Sequence, residues 1–124
     1  MKTAAKGLRT AIYHVADMVA AKAWYAKAFM TEPYFDEPFY IGFNIGGYEL
    51  GLHPEQNPTI DKPPSAVAYW ASQEVEADYA RLLALGATAH EEPQNVGGEL
   101  VVASVRDPWG NIIGLIYNPD FKLP

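Results

Sequence analysis

Between Phe39 and His53 apolar positions alternate with polar or glycine positions on both sides of a Gly46-Gly47 pair. A period of two is the mark of a strand with one buried face. Gly-Gly between two such runs signals a hairpin, because both residues of the tight turn need positive φ. A two-residue turn there pairs 45 with 48, 44 with 49, 43 with 50, 42 with 51, 41 with 52 and 40 with 53. One face then holds Ile41, Phe43, Ile45, Tyr48, Leu50 and Leu52 and must pack on a helix. The other holds Tyr40, Gly42, Asn44, Glu49, Gly51 and His53, with two glycines opposite each other where side chains are expected.

The remaining elements follow from the same patterning. Arg9 to Ala16 reads as a strand, with Ile12, Tyr13 and Val15. Asp17 is placed to cap a helix over Met18 to Phe29, whose core stripe is expected to be Val19, Ala23 or Trp24, and Phe29. Glu32 to Pro38 contains two prolines and cannot be a central strand. Pro54 to Pro64, with four prolines in eleven residues, reads as a linker. Ala66 to Ala71 is a strand and Val75 to Leu85 a helix with Val75, Tyr79, Leu82 and Leu83 on one face, ended by Gly86. A short strand over Ala87 to His90, a loop over Pro93 to Gly98, and a hairpin of Glu99 to Arg106 with Asn111 to Tyr117 complete the chain. Asp107-Pro108-Trp109-Gly110 makes the last turn.

The two halves therefore repeat one order, strand-helix-strand-strand-strand, with a period of about fifty residues. The expected fold is α+β: two βαβββ repeats, residues 8–56 and 65–119 joined by a 57–64 linker in one domain, forming a curled mixed sheet around a shared cavity. Gly114, between Ile112 and Ile116, stands in the second repeat where Gly51 stands in the first. A glycine at the same place in both halves points to a shaped cavity, lined by Thr10, Ile12, His14, Tyr40, Asn44, Glu49, Gly51 and His53 from one half. Val67, Tyr69, Ile112, Gly114 and Ile116 line it from the other.

Composition narrows the function. The 124 residues hold 9 basic and 15 acidic side chains, a net charge of −6, and the basic ones are scattered, so nucleic acid is not an expected partner. There is no cysteine, which excludes disulfides, thiolate metal sites and a cysteine nucleophile and suits a cytoplasmic setting. No apolar run is long enough for a membrane span or a leader. Aromatic residues make up 13% of the chain, and rings beside an acidic face suit a planar or cationic ligand.

Tyr13-His14-Val15-Ala16-Asp17 before Trp24-Tyr25, Gly86-Ala87 after the second helix, and Asp107-Pro108-Trp109-Gly110-Asn111 together resemble the glyoxalase, bleomycin-resistance and extradiol dioxygenase (vicinal oxygen chelate) superfamily. The likeness spans nearly the whole chain, and the Asp-Pro-x-Gly-Asn turn is its most specific piece. In catalytic members of that family, four positions in the first and last strands of each half hold a divalent metal. They fall here on Thr10, Gly51, Val67 and Gly114, none of which is a credible ligand. The resemblance thus implies a member that keeps the cup without the metal: a metal-independent, sequestration- or resistance-type binder of an aromatic or cationic small molecule. No cofactor is expected, and a homodimer is, with strands possibly exchanged between copies, because each half leaves sheet edges open. The alternative is a glyoxalase-like lyase or dioxygenase relative with a metal relocated to His14, Glu49 and His53, which share a face. His90, beside Glu91-Glu92, reads as a surface residue. A second departure is Met30, where the first helix of the family ends in glycine.

Overall fold

The computed structural model describes residues 8–56, 62 and 66–119. The chain divides into two compact units, Met1–Asn57 and Pro58–Pro124. In the first, β1 (Thr10–Val15) and α1 (Met18–Ala28) precede β2 (Phe35–Glu37), β3 (Tyr40–Ile45) and β4 (Tyr48–Pro54). In the second, β5 (Ala68–Ala71) and α2 (Val75–Ala84) precede β6 (Thr88–Gly97), β7 (Leu100–Arg106) and β8 (Ile112–Tyr117). The sheets have orders β1-β4-β3-β2 and β5-β8-β7-β6, the same topology twice. In each, only the pair joining the first strand to the last is parallel. This is the α+β, two-repeat architecture expected. Most of the expected 57–64 linker, residues 57–61, 63 and 64, lies outside the described residues, as does residue 65. Among the described residues, no helix is long and apolar enough to cross a membrane.

The hairpin forms in the register dictated by its turn. Ile41 to Ile45 pair with Leu52 to Tyr48, and Gly46 and Gly47 take φ of 59° and 94°. Ile41, Phe43, Leu50 and Leu52 are buried with Tyr13 and Val15 of β1 on the same side. Against them α1 turns Ala21, Tyr25 and Ala28. The Tyr25 ring stacks on Tyr13 at 5.7 Å and on Phe29 at 6.0 Å. The Val19–Ala23 stripe expected to face the core does not: Val19 is 83% exposed. In an alanine-rich helix the apolar contrast between faces is small, and the bulk of Tyr25, with the most area to bury, decides which face turns in.

In the second unit Val75 and Leu82 of α2 are buried, as are Ala87, Ala103, Val105, Ile113 and Leu115. The expected short strand and Pro93–Gly98 loop are replaced by one strand, β6, running through Pro93 with register shifts along β7. β6 is an edge strand, where a proline costs no ladder hydrogen bond on its open side and bulges are tolerated. The Asp107–Asn111 turn is self-locked. Asp107 is 4% exposed, its Oδ1 accepts from the Trp109 and Asn111 amides, and its Oδ2 accepts from Asn111 Nδ2 at 2.9 Å.

The helix ends show how a local rule is kept and bent. Asp17 caps α1 by accepting from the Ala20 amide at 3.0 Å. α2 ends in a Schellman pattern, Ala87 N–H to Leu82 O and Gly86 N–H to Leu83 O, with Gly86 at φ 106°. α1 ends in the corresponding way, Thr31 N–H to Ala26 O, with Met30 at φ 53° in the place of glycine. A left-handed conformation costs a residue with a Cβ about 1–2 kcal/mol, more than the about 0.5–1 kcal/mol that glycine adds in chain entropy. Met30 is 75% exposed, so its side chain contributes little packing. Met30→Gly is therefore expected to raise stability by about 0.5–1 kcal/mol in a denaturant titration with an unchanged m-value.

Candidate functional site

The face of the first sheet turned away from α1 is organised around one carboxylate. Glu49 of β4 sits in register with Thr10 of β1, whose hydroxyl donates to Glu49 Oε1 at 2.9 Å. The Tyr40 hydroxyl donates to the same oxygen at 2.9 Å, and the Tyr34 hydroxyl donates to Oε2. Three hydroxyl donors favour the charged form, so the Glu49 carboxyl is held below its ordinary range, chiefly by Tyr34, with Thr10 and Tyr40 adding to it against the opposing effect of partial burial. The phenols respond in the opposite sense. Tyr34 is raised by its bond to Glu49, and Tyr40 is pushed up to about 12 by burial first and by the carboxylate second. Phe35 extends the aromatic surface, its ring 6.1 Å from Phe39 and 6.2 Å from Tyr40. Tyr34 and Phe39 are 64% and 63% exposed.

The glycines of this face lie against side chains. A Cβ on Gly51 would lie 2.6 Å from Cζ of Tyr40, and one on Gly42 would lie 2.7 Å from Glu49 Oε2 and 3.2 Å from the Tyr34 ring. In the second unit a Cβ on Gly114 would lie 2.8 Å from Cγ of Tyr69 and 2.9 Å from the Ala68 carbonyl oxygen. In both halves the missing side chain makes room for a tyrosine ring lying across the strand. The expectation that Gly51 and Gly114 shape a cavity is thus joined by a second role, the seating of these rings.

The other residues expected on this face separate into groups. Ile12, in register with Gly51, is 50% exposed. His14 and His53 are in register at the end of the same strand pair, with ring centroids 5.3 Å apart. Asn44 is taken up by the hairpin, its Oδ1 accepting from the Gly47 amide at 2.9 Å. Glu49 lies four residues from His53 along β4, about 13 Å, so the expected His14, Glu49 and His53 set does not converge. Among the described residues no group of three or more His, Asp or Glu side chains is placed to hold a metal ion.

In the second unit Tyr69 is in register with Gly114, and Ile112 and Ile116 flank Gly114 along β8, while Val67 precedes β5. Opposite Gly114 stands Ser104, fully buried, donating to Glu91 Oε1 at 3.1 Å. With its proton so placed, Ser104 Oγ accepts from His90 Nδ1 at 2.8 Å. Sequence reading missed this group and the role of Tyr34. Ser104 shares alternation with Gly114 and was legible to that extent. The irregular register of β6 hid its partners, and the β2–β3 pairing that positions Tyr34, through its amide bond to Gly42 O, lies in a proline-flanked segment without alternation.

Two βαβββ units, each a four-stranded mixed sheet with one helix, define a small α+β protein of the duplicated type. Residues 7–115 match the model of the Glyoxalase/Bleomycin resistance protein/Dioxygenase superfamily, and the chain belongs to that superfamily. Among solved structures, a glyoxalase-related enzyme from Fulvimarina pelagi is similar with TM-score 0.80 and 21% identity, the match covering 97% of this chain and 94% of that one. A family enzyme from Burkholderia phytofirmans PsJN follows at 0.74 and 17%, covering 87% and 95%. A glyoxalase/bleomycin resistance protein from Albidiferax ferrireducens T118 is at 0.68 and 22%, covering 90% and 98%. These likenesses show the fold. No curated protein sequence matches the chain.

The resemblance places the metal of catalytic members at Thr10, Gly51, Val67 and Gly114, and these residues do not fit one. The Thr10 hydroxyl is spent on Glu49, Val67 is apolar, and tyrosine rings cover both glycines.

Gly51→Ala displaces only the far end of the Tyr40 ring and is expected to cost about 1 kcal/mol, the worth of the Tyr40–Glu49 bond. Gly114→Ala meets backbone as well as ring and is expected to cost about 2 kcal/mol or more, read in parallel thermal melts. A Tyr40 ring-carbon NMR titration is expected to show ionisation near 12, moving down only in part in Glu49→Gln because burial is the larger cause. For Glu49 the folded pKa is the depressed one. Its stabilising contribution is present above the unfolded value and lost as pH falls through the folded value, so the acid limb of the stability curve flattens in Glu49→Gln.

Proposed function

We propose that this protein binds a small organic cation carrying a planar or aromatic group on the Glu49 face of its first sheet, and sequesters it without chemical change. The observation that carries this reading is a carboxylate held ionised by three hydroxyls among exposed rings. A fixed negative charge beside Tyr34, Tyr40, Phe35 and Phe39 gives a cation both an ion-pair partner and ring faces to stack on. The same arrangement is ill suited to proton transfer. A carboxylate of lowered pKa is a weak base, and phenols of raised pKa are weak acids. Binding in this reading is metal-independent, takes place in the cytoplasm and is a property of a homodimer.

The test is a fluorescence titration with a cationic planar dye and its neutral isostere. The cation is expected to bind at least about tenfold more tightly, with most of that preference lost in Glu49→Gln and no change on adding a chelator. Equal binding of the two dyes, or an unchanged preference in Glu49→Gln, overturns the reading. Sedimentation at micromolar concentration checks the dimer, and a monomer there removes that part.

A further inference from the structure

We propose that His14 and His53 form a two-histidine site for a late first-row divalent cation such as Zn2+, Ni2+ or Cu2+. The site lies on the same face of the sheet as Glu49 but about 13 Å along β4 from it, and its residues are not among the four positions where the resemblance implies a metal. It begins with register. β1 and β4 run parallel with His14 directly beside His53, so both imidazoles leave the same side of the sheet from neighbouring strands. Their ring centroids are 5.3 Å apart with planes at 65°. Two imidazoles on one tetrahedral ion, with metal–nitrogen distances of about 2.0–2.1 Å, place their centroids about 5 Å apart. The centroid spacing is thus the one ligation requires, and turning the exposed rings about their side-chain torsions is what brings one nitrogen of each to a shared ion.

Orientation adds a second observation. His53 Nδ1 lies 3.2 Å from the Pro54 carbonyl oxygen, which only accepts, so Nδ1 carries the proton and Nε2 keeps its lone pair. A ring nitrogen anchored on a backbone carbonyl is the usual support of a ligating histidine, fixing tautomer and aim. Each ring has two nitrogens, so one can hold a protein partner while the other ligates. Both histidines are exposed, which leaves water to complete the coordination shell. Two neutral imidazoles select for the nitrogen-preferring ions of the late first row and against Mg2+ and Ca2+, which need oxygen ligands.

The experiment uses tag-free protein and the metal chlorides alone. Isothermal titration with Zn2+ and Ni2+ is expected to show one ion per chain, with Mg2+ and Ca2+ silent. His14→Asn and His53→Asn are each expected to weaken Zn2+ binding by about tenfold or more, and His90→Asn, at the third histidine of the chain, to leave it unchanged. NMR of the histidine ring protons in the unmutated protein gives a readout free of any folding defect: Zn2+ is expected to shift the His14 and His53 signals and not those of His90. Absence of binding at millimolar Zn2+ overturns the proposal and leaves the two rings in simple edge contact. Binding that survives both substitutions, or that shifts His90 instead, also overturns it. Neither outcome bears on the dye titration, so the two readings fail separately.

Discussion

The two-residue turn at Gly46-Gly47 is the constraint on which the first half of the molecule rests. Positive φ at both glycines sets the hairpin register with no residue to spare. Period-two alternation then sends Phe43, Leu50 and Leu52 beneath α1 and leaves Glu49, Gly51 and His53 on the opposite face. A slip of one residue would bury Glu49 and expose the core. β1 pairs with the other edge of β4 in a parallel register of its own, which brings Thr10 to Glu49, Ile12 to Gly51 and His14 to His53. The turn decides which face of β4 Glu49 and His53 share, and the β1 pairing completes both the carboxylate cluster and the histidine pair.

The tyrosine rings over glycines are the feature the two halves share most closely. Tyr40 covers Gly51 from a neighbouring antiparallel strand, and Tyr69 covers Gly114 from a parallel one. A ring laid flat on a sheet needs the side chain beneath it removed, and glycine removes it at the cost of some strand stability. The arrangement fills the middle of each face with an amphipathic ring instead of leaving a hole. In the first half the ring also ends in a hydroxyl that reaches Glu49, so packing and electrostatics are joined in one residue.

That joining decides what the face can do. Glu49 accepts from Thr10, Tyr34 and Tyr40, and its charge is fixed by donors on three different segments of the fold. Such a group attracts and orients a cation but gives up the adjustability of a general base. Thr10, Val67, Gly51 and Gly114 contribute a hydroxyl donating to the carboxylate, an apolar side chain and two supports for rings.

Local rules were strong enough to be read directly from the amino-acid order. The duplicated βαβββ plan, the Asp17 cap, the Gly86 helix end, the hairpin register and its two faces all depend on residues within a few positions of one another, where φ preferences and alternation act without help. What lay beyond reach depended on contacts between distant segments. Which face of the alanine-rich α1 turns inward was decided by Tyr25 stacking on Tyr13 of β1, and the strand character of Pro93 by its place at a sheet edge. That Gly51 and Gly114 support rings, and that Tyr34 reaches Glu49, follows from side chains crossing between strands. Alternation tells which face a residue is on, but not how far its side chain leans along that face. Only the packed tertiary structure sets that distance.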